Sequence, residues 1–363
     1  MPVLQTGPMR IASITAEPLS LALTEPFGIA SGAQHRADNV LVSLTLEDGT
    51  LGLGEAAPFP AFNGDTQAAA LGAISAARDA LSGVDPRRLR AVHATLAEAC
   101  PSPSARAAIE MACMDAVCRA RGVSMWHWFG GKSPALRTDI TIVTGSVDHA
   151  ASAAARAADD GFATLKVKVG GGAIETDIER LAAIRNAAPH ATFVLDANAS
   201  LSAEQALALV DSFGAERSRI ALFEQPCGSA DHAGLAKVRA AGVLVAADES
   251  ATSSRDLPAL LNVVDVINVK LMKSGVIGAL DLALAARALG FRLMIGGLVE
   301  SDLAMSVSAC LAAGLGDFPF VDLDTALFVK DAPFVGGVAR RGPDIRVDAI
   351  AAGHGVGRSP PSL

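Results

Sequence analysis

From Thr138 onward the sequence repeats one pattern: a short stretch rich in β-branched and aromatic residues, then an Ala/Leu-rich amphipathic stretch, at intervals of roughly 20 to 30 residues. The strand candidates start near Thr138, Thr164, Phe193, Ile220, Val243, Val266, Arg292 and Phe320. Strands separated by helices must run parallel, because each helix carries the chain back to the starting edge. Eight such units fit a closed (β/α)₈-type barrel better than an open doubly wound sheet. No glycine fingerprint for a dinucleotide is present. Gly170-Gly171-Gly172 lacks both the Gly-x-Gly-x-x-Gly spacing and the Gly-Lys-Ser/Thr ending of a phosphate loop, so it reads as a turn.

The segment before this rhythm differs. From Arg10 to Ala56 apolar and polar residues alternate, broken by Asp48-Gly49, which predicts a small antiparallel sheet with a hairpin. Helical patterns follow from Thr66 to about Ala120. Strands followed by helices predict a separate α+β unit, residues 1–130, ending near Gly130-Gly131-Lys132-Ser133-Pro134. The barrel would then occupy residues 131–330, with the Gly- and Pro-rich tail 331–363 packing back on the first unit.

Composition narrows the partners. A 51% hydrophobic content over 363 residues allows a large core, and a net charge of -8 without any Lys/Arg-rich run argues against nucleic acid or an anionic membrane. Polar residues interrupt every apolar run before the ~20 residues of a membrane span. Met1 to Arg10 lacks the basic start and apolar middle of a secretory signal, which predicts a cytoplasmic protein. The five cysteines, Cys100, Cys113, Cys118, Cys227 and Cys310, are scattered and read as buried thiols. His127, between Trp126 and Trp128, reads as a packed core or interface residue.

Barrel enzymes carry their chemistry on the C-terminal ends of strands. Five consecutive predicted strands end in ionisable residues: Lys166 and Lys168, then Asp196 with Asn198, then Glu224, then Asp248-Glu249, then Lys270. Taken singly, each also fits a solvated loop charge or a salt bridge capping a strand. Five in register are harder to explain in that way. Three carboxylates converging from neighbouring strands repel one another unless a cation neutralises them. An oxygen-only set suits Mg²⁺, whereas zinc favours His or Cys. Glu249 is expected to point elsewhere, since adjacent strand residues face opposite sides.

Lys166 and Lys168 share a strand face, and Lys270 lies four strands away, so the lysines confront each other across the barrel mouth. A proton beside a carboxylate is too weakly acidic for an unaided lysine, because the enediolate that results carries two negative charges; a metal ion supplies the stabilisation. A neighbouring cation and a second lysine are expected to lower the pKa of each base. Lys168 and Lys270 are the predicted pair. One base on each face of a planar intermediate inverts the carbon.

At these positions the chain resembles the enolase superfamily, in its muconate-lactonizing subgroup, over nearly its whole length. The motifs are Leu165-Lys166-Val167-Lys168-Val169-Gly170, Leu195-Asp196-Ala197-Asn198, Phe223-Glu224-Gln225-Pro226, Ala247-Asp248-Glu249-Ser250 and Ile267-Asn268-Val269-Lys270-Leu271-Met272-Lys273. The resemblance implies an α/β fold: a modified TIM barrel, (β/α)₇β, with an N-terminal α+β capping domain. It implies Asp196, Glu224 and Asp248 as Mg²⁺ ligands, Lys168 and Lys270 as bases, and Lys166 as a helper. Homo-oligomers are common in the family.

The substrate class rests on Val321-Asp322-Leu323-Asp324, two aspartates suited to a cationic group. The resemblance is to dipeptide epimerases, which hold the free α-ammonium of a dipeptide on such an Asp-x-Asp, with Thr141 and Gly297 lining the same pocket and Asn198 orienting a ligand or water. Pro26 to Gly32 and Glu55 to Gly64 are the expected lid loops. Alanyl-glutamate epimerases carry an arginine where this chain has Gly32, and Ile29, Ala30, Phe59, Ala61 and Phe62 are neutral, which predicts hydrophobic or mixed dipeptides. The rivals are an o-succinylbenzoate synthase, an N-succinylamino acid racemase or a muconate cycloisomerase, whose anionic substrates the two aspartates would repel, and a catalytically silent metal-dependent binding barrel.

Overall fold

The N-terminal alternation becomes a three-stranded antiparallel sheet of β1 (Ile11–Ile29), β2 (Gly32–Leu46) and β3 (Leu51–Ala56), in that order. The structure, a computed structural model, describes residues 9–330 and 333–359, so the segment read for a leader lies almost wholly outside it, as do the tail residues 331–332 and 360–363. The predicted hairpin turns at Gly49 (φ 86°), where Thr50 N donates to Asp48 Oδ1. Helices α1 (Gln67–Leu81), α2 (Leu89–Ala99) and α3 (Pro103–Arg121) follow.

The long helix α3 starts where Ser102 caps it and Pro103 occupies its first turn, and it stops at Gly122 in the left-handed conformation. It lies directly on β3 because that strand reads Gly52-Leu53-Gly54. A Cβ at Gly54 would sit 1.9 Å from Ala108 O, and one at Gly52 would sit 2.1 Å from Ala112 O. Between the two glycines, Leu53 N donates to the buried Asp115 carboxylate, which also accepts from Arg119 and from His354 N of the C-terminal segment. One buried acid thus fastens sheet, helix and tail. Gly54→Val is expected to cost about 3 kcal/mol or more by forcing helix and strand apart. A thermal melt unchanged from the parent would contradict this packing account.

The eight barrel strands are β4 (Ile140–Ile142), β5 (Thr164–Lys168), β6 (Thr192–Asp196), β7 (Ile220–Glu224), β8 (Val245–Ala247), β9 (Val266–Val269), β10 (Arg292–Ile295) and β11 (Phe320–Val321). They form one parallel sheet in unbroken sequence order. The crossovers run through α4 (Val147–Asp159), α5 (Ile174–Ala187), α6 (Ala203–Asp211), α7 (His232–Ala240), the short turn Leu257–Leu260, α8 (Leu271–Ala288) and α9 (Asp302–Leu315). Among the described residues only a single 3₁₀ turn, Thr325–Phe328, follows β11 before the C-terminal segment. This is the (β/α)₇β arrangement.

Among the described residues no strand ladder joins the two ends of the sheet. Asp139 N donates to Val321 O (2.9 Å), Leu323 N to Thr138 Oγ1 (2.8 Å) and Thr141 N to Asp324 Oδ2 (2.6 Å). Side chains therefore replace carbonyl groups along much of the seam.

All five cysteines are buried and unpaired. His127 is not a core residue: it is exposed on a short helical turn, its Nδ1 2.8 Å from Ser124 Oγ and its ring 4.2 Å from that of Trp126. No helix among the described residues is long and apolar enough to cross a membrane.

Candidate active site

Inside the barrel the strands stack side chains in layers two residues apart. Val194, Leu222, Ala246, Val266 and Met294 form a buried apolar plug. Two residues further along each strand come Asp196, Glu224, Asp248, Asn268 and Gly296. Period-two alternation thus converts an apolar floor into a polar ceiling within one step, and the three carboxylates are fully buried.

Each acid there meets an ammonium group. Lys168 Nζ lies 2.7 Å from Asp196 Oδ2 and 3.3 Å from Asn198 Oδ1. Lys166 Nζ lies 2.6 Å from Asp322 Oδ2, 2.8 Å from Glu224 Oε2 and 3.0 Å from Asp196 Oδ2. Lys270 Nζ lies 2.7 Å from Asp248 Oδ2 and 5.3 Å from the centre of the Phe62 ring. Asn268 donates to Glu224 Oε1 at 2.6 Å.

The protonation balance follows from these contacts. Burial opposes ionisation of Asp196 and Asp248, but the lysines beside them hold both carboxyls well below the ordinary range. Glu224 is pushed up by burial and by Asp196. Burial disfavours the Lys270 ammonium too, yet Asp248 and Glu224 reverse its effect and raise the pKa; Lys166 moves the same way beside Asp196 and Asp322. Asp248 and Glu224, the nearest charged neighbours of Lys270, outweigh the second lysine, Lys166, which acts in the expected downward direction.

Several participants escaped the sequence reading. Lys273, in the first turn of α8, donates to Asp248 Oδ1 (2.8 Å), Asp248 O (2.9 Å) and Asn268 O (2.7 Å), and burial lowers its pKa. Its spacing of three from Lys270 at a helix start was the available signal. Glu249 does not point away as expected. Strand β8 ends at Ala247, so alternation no longer applies, and Asn198 Nδ2 reaches Glu249 Oε1 at 3.4 Å. Burial and Asp248 push that carboxyl up to about 8. Asp139 is the third omission: one carboxylate oxygen from each of Asp139, Asp322 and Asp324 lies within 4.8 Å of the others.

The capping unit roofs the site. Phe27 and Ile29 at the tip of the β1–β2 hairpin, with Phe59 and Phe62, close over Lys168, Lys270, Thr141, Gly297 and Asp322, leaving about 20 Å³. That is room for little more than a water molecule. Ser31 Oγ donates to Ala61 O (2.7 Å), tying the two lid segments together. Gly296 and Gly297 are small for a reason: a Cβ would meet Lys270 Cε at 3.0 Å or Met305 Cε at 2.3 Å.

The donor set fits Mg²⁺. Asp196, Glu224 and Asp248 offer only oxygen ligands from adjacent strand ends, and buried Glu224 Oε2 accepts no hydrogen bond although Lys166 Nζ is 2.8 Å away.

An eight-stranded barrel with this order of lysines and carboxylates on successive strand ends defines the class, the enolase superfamily. The chain matches the model described as "Enolase C-terminal domain-like" over residues 148–360 and that of the mandelate racemase/muconate lactonizing enzyme N-terminal domain over residues 11–130. It belongs to the mandelate racemase/muconate lactonizing enzyme family. It is 47% identical to an aromatic dipeptide epimerase of Herpetosiphon aurantiacus, over 96% of this chain and 99% of the relative. Identity to a hydrophobic dipeptide epimerase of Citrifermentans bemidjiense is 36%, over 96% of each. A crystal structure of the dipeptide epimerase of Enterococcus faecalis V583, complexed with Mg and the dipeptide L-Leu-L-Tyr, superposes with a TM-score of 0.91 at 31% identity, covering 96% of this chain and all of the other. The chain is an isomerase of the epimerase and racemase type.

Proposed function

We propose that this protein is a Mg²⁺-dependent dipeptide epimerase that inverts the α-carbon beside the dipeptide's carboxylate by proton transfer between Lys168 and Lys270. The observation that carries the reading is the cavity under the lid whose wall includes both lysines and Asp322. Asp196, Glu224 and Asp248 would hold the metal, which when bound supplies Lewis-acid stabilisation of the charge that develops on the substrate carboxylate. Residues 1–130, together with the tail 331–363, serve as the capping domain, and residues 131–330 as the catalytic barrel.

The roles divide by position. Asp322 and Asp324 receive the free α-ammonium, with Thr141 at their side. Lys166, already between Asp196, Glu224 and Asp322, adds positive charge beside the carboxylate. One of Lys168 and Lys270 removes the α-proton and the other returns one to the opposite face. The enediolate between these events is planar, so the face that is reprotonated decides the configuration. Phe27, Ile29, Phe59 and Phe62 exclude water while the carbanion exists.

Those lid residues carry no charge, which favours apolar and aromatic side chains, in keeping with the names of the two relatives above. A mass-spectrometric screen of L,L-dipeptides in deuterated water with magnesium is expected to show a gain of one mass unit at the α-carbon, with hydrophobic and aromatic dipeptides leading. An acidic hit list would overturn the preference. Silence on all dipeptides, with exchange on N-succinylamino acids, would overturn the substrate class.

A further inference from the structure

We infer that Asp139 is the third acceptor of a tripod for the substrate's ammonium group, and that it makes the site selective for a primary amine. This rests on the dipeptide reading above and adds to it a residue outside the Asp322-Leu323-Asp324 motif.

Three observations support the tripod. One carboxylate oxygen from each of Asp139, Asp322 and Asp324 lies within 4.8 Å of the other two. An ammonium nitrogen that donates three hydrogen bonds of about 2.8 Å in tetrahedral directions needs acceptors about 4.6 Å apart. Asp139 Oδ1 and Asp324 Oδ1 are buried and accept no hydrogen bond, in residues 4% and 0% exposed, and such orphaned acceptors are rare and costly. Two other oxygens of the trio are engaged: Thr141 N holds Asp324 Oδ2, and Lys166 Nζ holds Asp322 Oδ2. The cluster adjoins the cavity through Asp322 and Thr141.

The seam explains how Asp139 comes to be there. Its backbone N–H donates to Val321 O, which places it one layer beneath Thr141 and opposite the aspartate pair. Its buried Oδ1 has no hydrogen-bond partner among the described residues that would account for an acid at the floor of the site. Burial, with Asp322 and Asp324 beside it, drives its carboxyl well above the ordinary range. Facing it from the packed elements are those two aspartates, Lys166 and Glu224. A neutral carboxyl still accepts through its carbonyl oxygen, so the third leg need not add a third negative charge to the cluster.

The chemistry gives a discriminating test. A primary ammonium has three N–H donors, whereas an N-methylated dipeptide or one starting with proline has two. A two-aspartate site satisfies both kinds about equally; a tripod leaves one acceptor orphaned with the secondary amine. The experiment measures kcat and KM for a responsive dipeptide and its N-methyl counterpart with the parent protein, Asp139→Asn and Asp139→Ala, with circular dichroism on each. The parent is expected to prefer the primary amine about tenfold or more. Asp139→Asn, which keeps a carbonyl oxygen, should stay within about threefold of the parent. Asp139→Ala should raise KM about tenfold with kcat little changed and lose most of the preference. Should the alanine chain not fold, Asp139→Ser, too short to reach the nitrogen, carries the same expectation. A parent that prefers the primary amine while the shortened variant keeps both its KM and that preference overturns the tripod and leaves the dipeptide reading intact. A parent inactive on all dipeptides overturns both.

Discussion

Lys168→Ala and Lys270→Ala are each expected to lower epimerisation of a responsive dipeptide about 10³-fold or more, while leaving a slow exchange of the α-proton from one epimer only. With one base missing, the surviving lysine removes a proton from its own face and returns a deuteron to that same face, so label enters without inversion. The two variants should exchange opposite epimers. Both variants are expected to fold, on electrostatic grounds. Without Lys168, Asp196 still has Lys166 Nζ at 3.0 Å and the Asn198 N–H at 3.0 Å. Without Lys270, Asp248 keeps Lys273 Nζ at 2.8 Å. Neither truncation strands a buried carboxylate without a donor, the condition that makes breaking buried pairs so destabilising. Isotope exchange followed separately for each epimer checks the prediction, and full epimerisation by either variant would sink the two-base mechanism.

Removing divalent cations is the second large effect. Chelation is expected to suppress exchange of both epimers below detection, more than about 10³-fold, and added Mg²⁺ to restore it. A lysine cannot by itself hold the doubly charged enediolate, so the loss should fall on proton removal from either face, in contrast to the one-sided loss of the lysine variants. The same ion should register without any substrate. At a hundredfold excess over Kd, binding only to the folded protein adds about 2.7 kcal/mol of stability, visible as a rise in the thermal midpoint. Glu224→Gln should abolish that rise as well as activity, since it neutralises the central carboxylate of the three. Activity surviving exhaustive chelation, or a midpoint shift surviving Glu224→Gln, would remove Asp196, Glu224 and Asp248 from their proposed role.

The barrel was readable because its signals are local. Each strand candidate from Thr138 to Phe320 begins within two residues of an observed strand or turn into one, since β-branched runs and amphipathic helices declare themselves over a window of a few turns. Lys166, Lys168, Asp196 and Glu224 could be placed on the barrel's inner face for the same reason: they sit inside or at the end of regular strands. Alternation fails one residue past a strand. That is why Glu249 was assigned to the wrong side, and why Lys273, in the first turn of a helix, was passed over. Asp139 precedes its strand by one residue and carried no motif to attract notice.

Residue order was thus sufficient for the topology, for the lysines and acids that sit on regular strands, and for the family. The charge state of that set depended on tertiary distances. Asp196 and Lys166 are 30 residues apart, and Lys166 and Asp322 are 156 apart. Neighbouring strands bring Lys166 to Asp196, but only closure of the barrel brings Lys166 Nζ to 2.6 Å from Asp322 Oδ2, where that carboxylate helps to raise the lysine's pKa. The acid trio at the seam arises likewise, from the first and last strands meeting without a ladder. Propensity and periodicity act along the chain, whereas Coulomb interaction and desolvation act through space. For that reason the pattern of the site could be read one strand at a time, but its electrostatics required the ring to close.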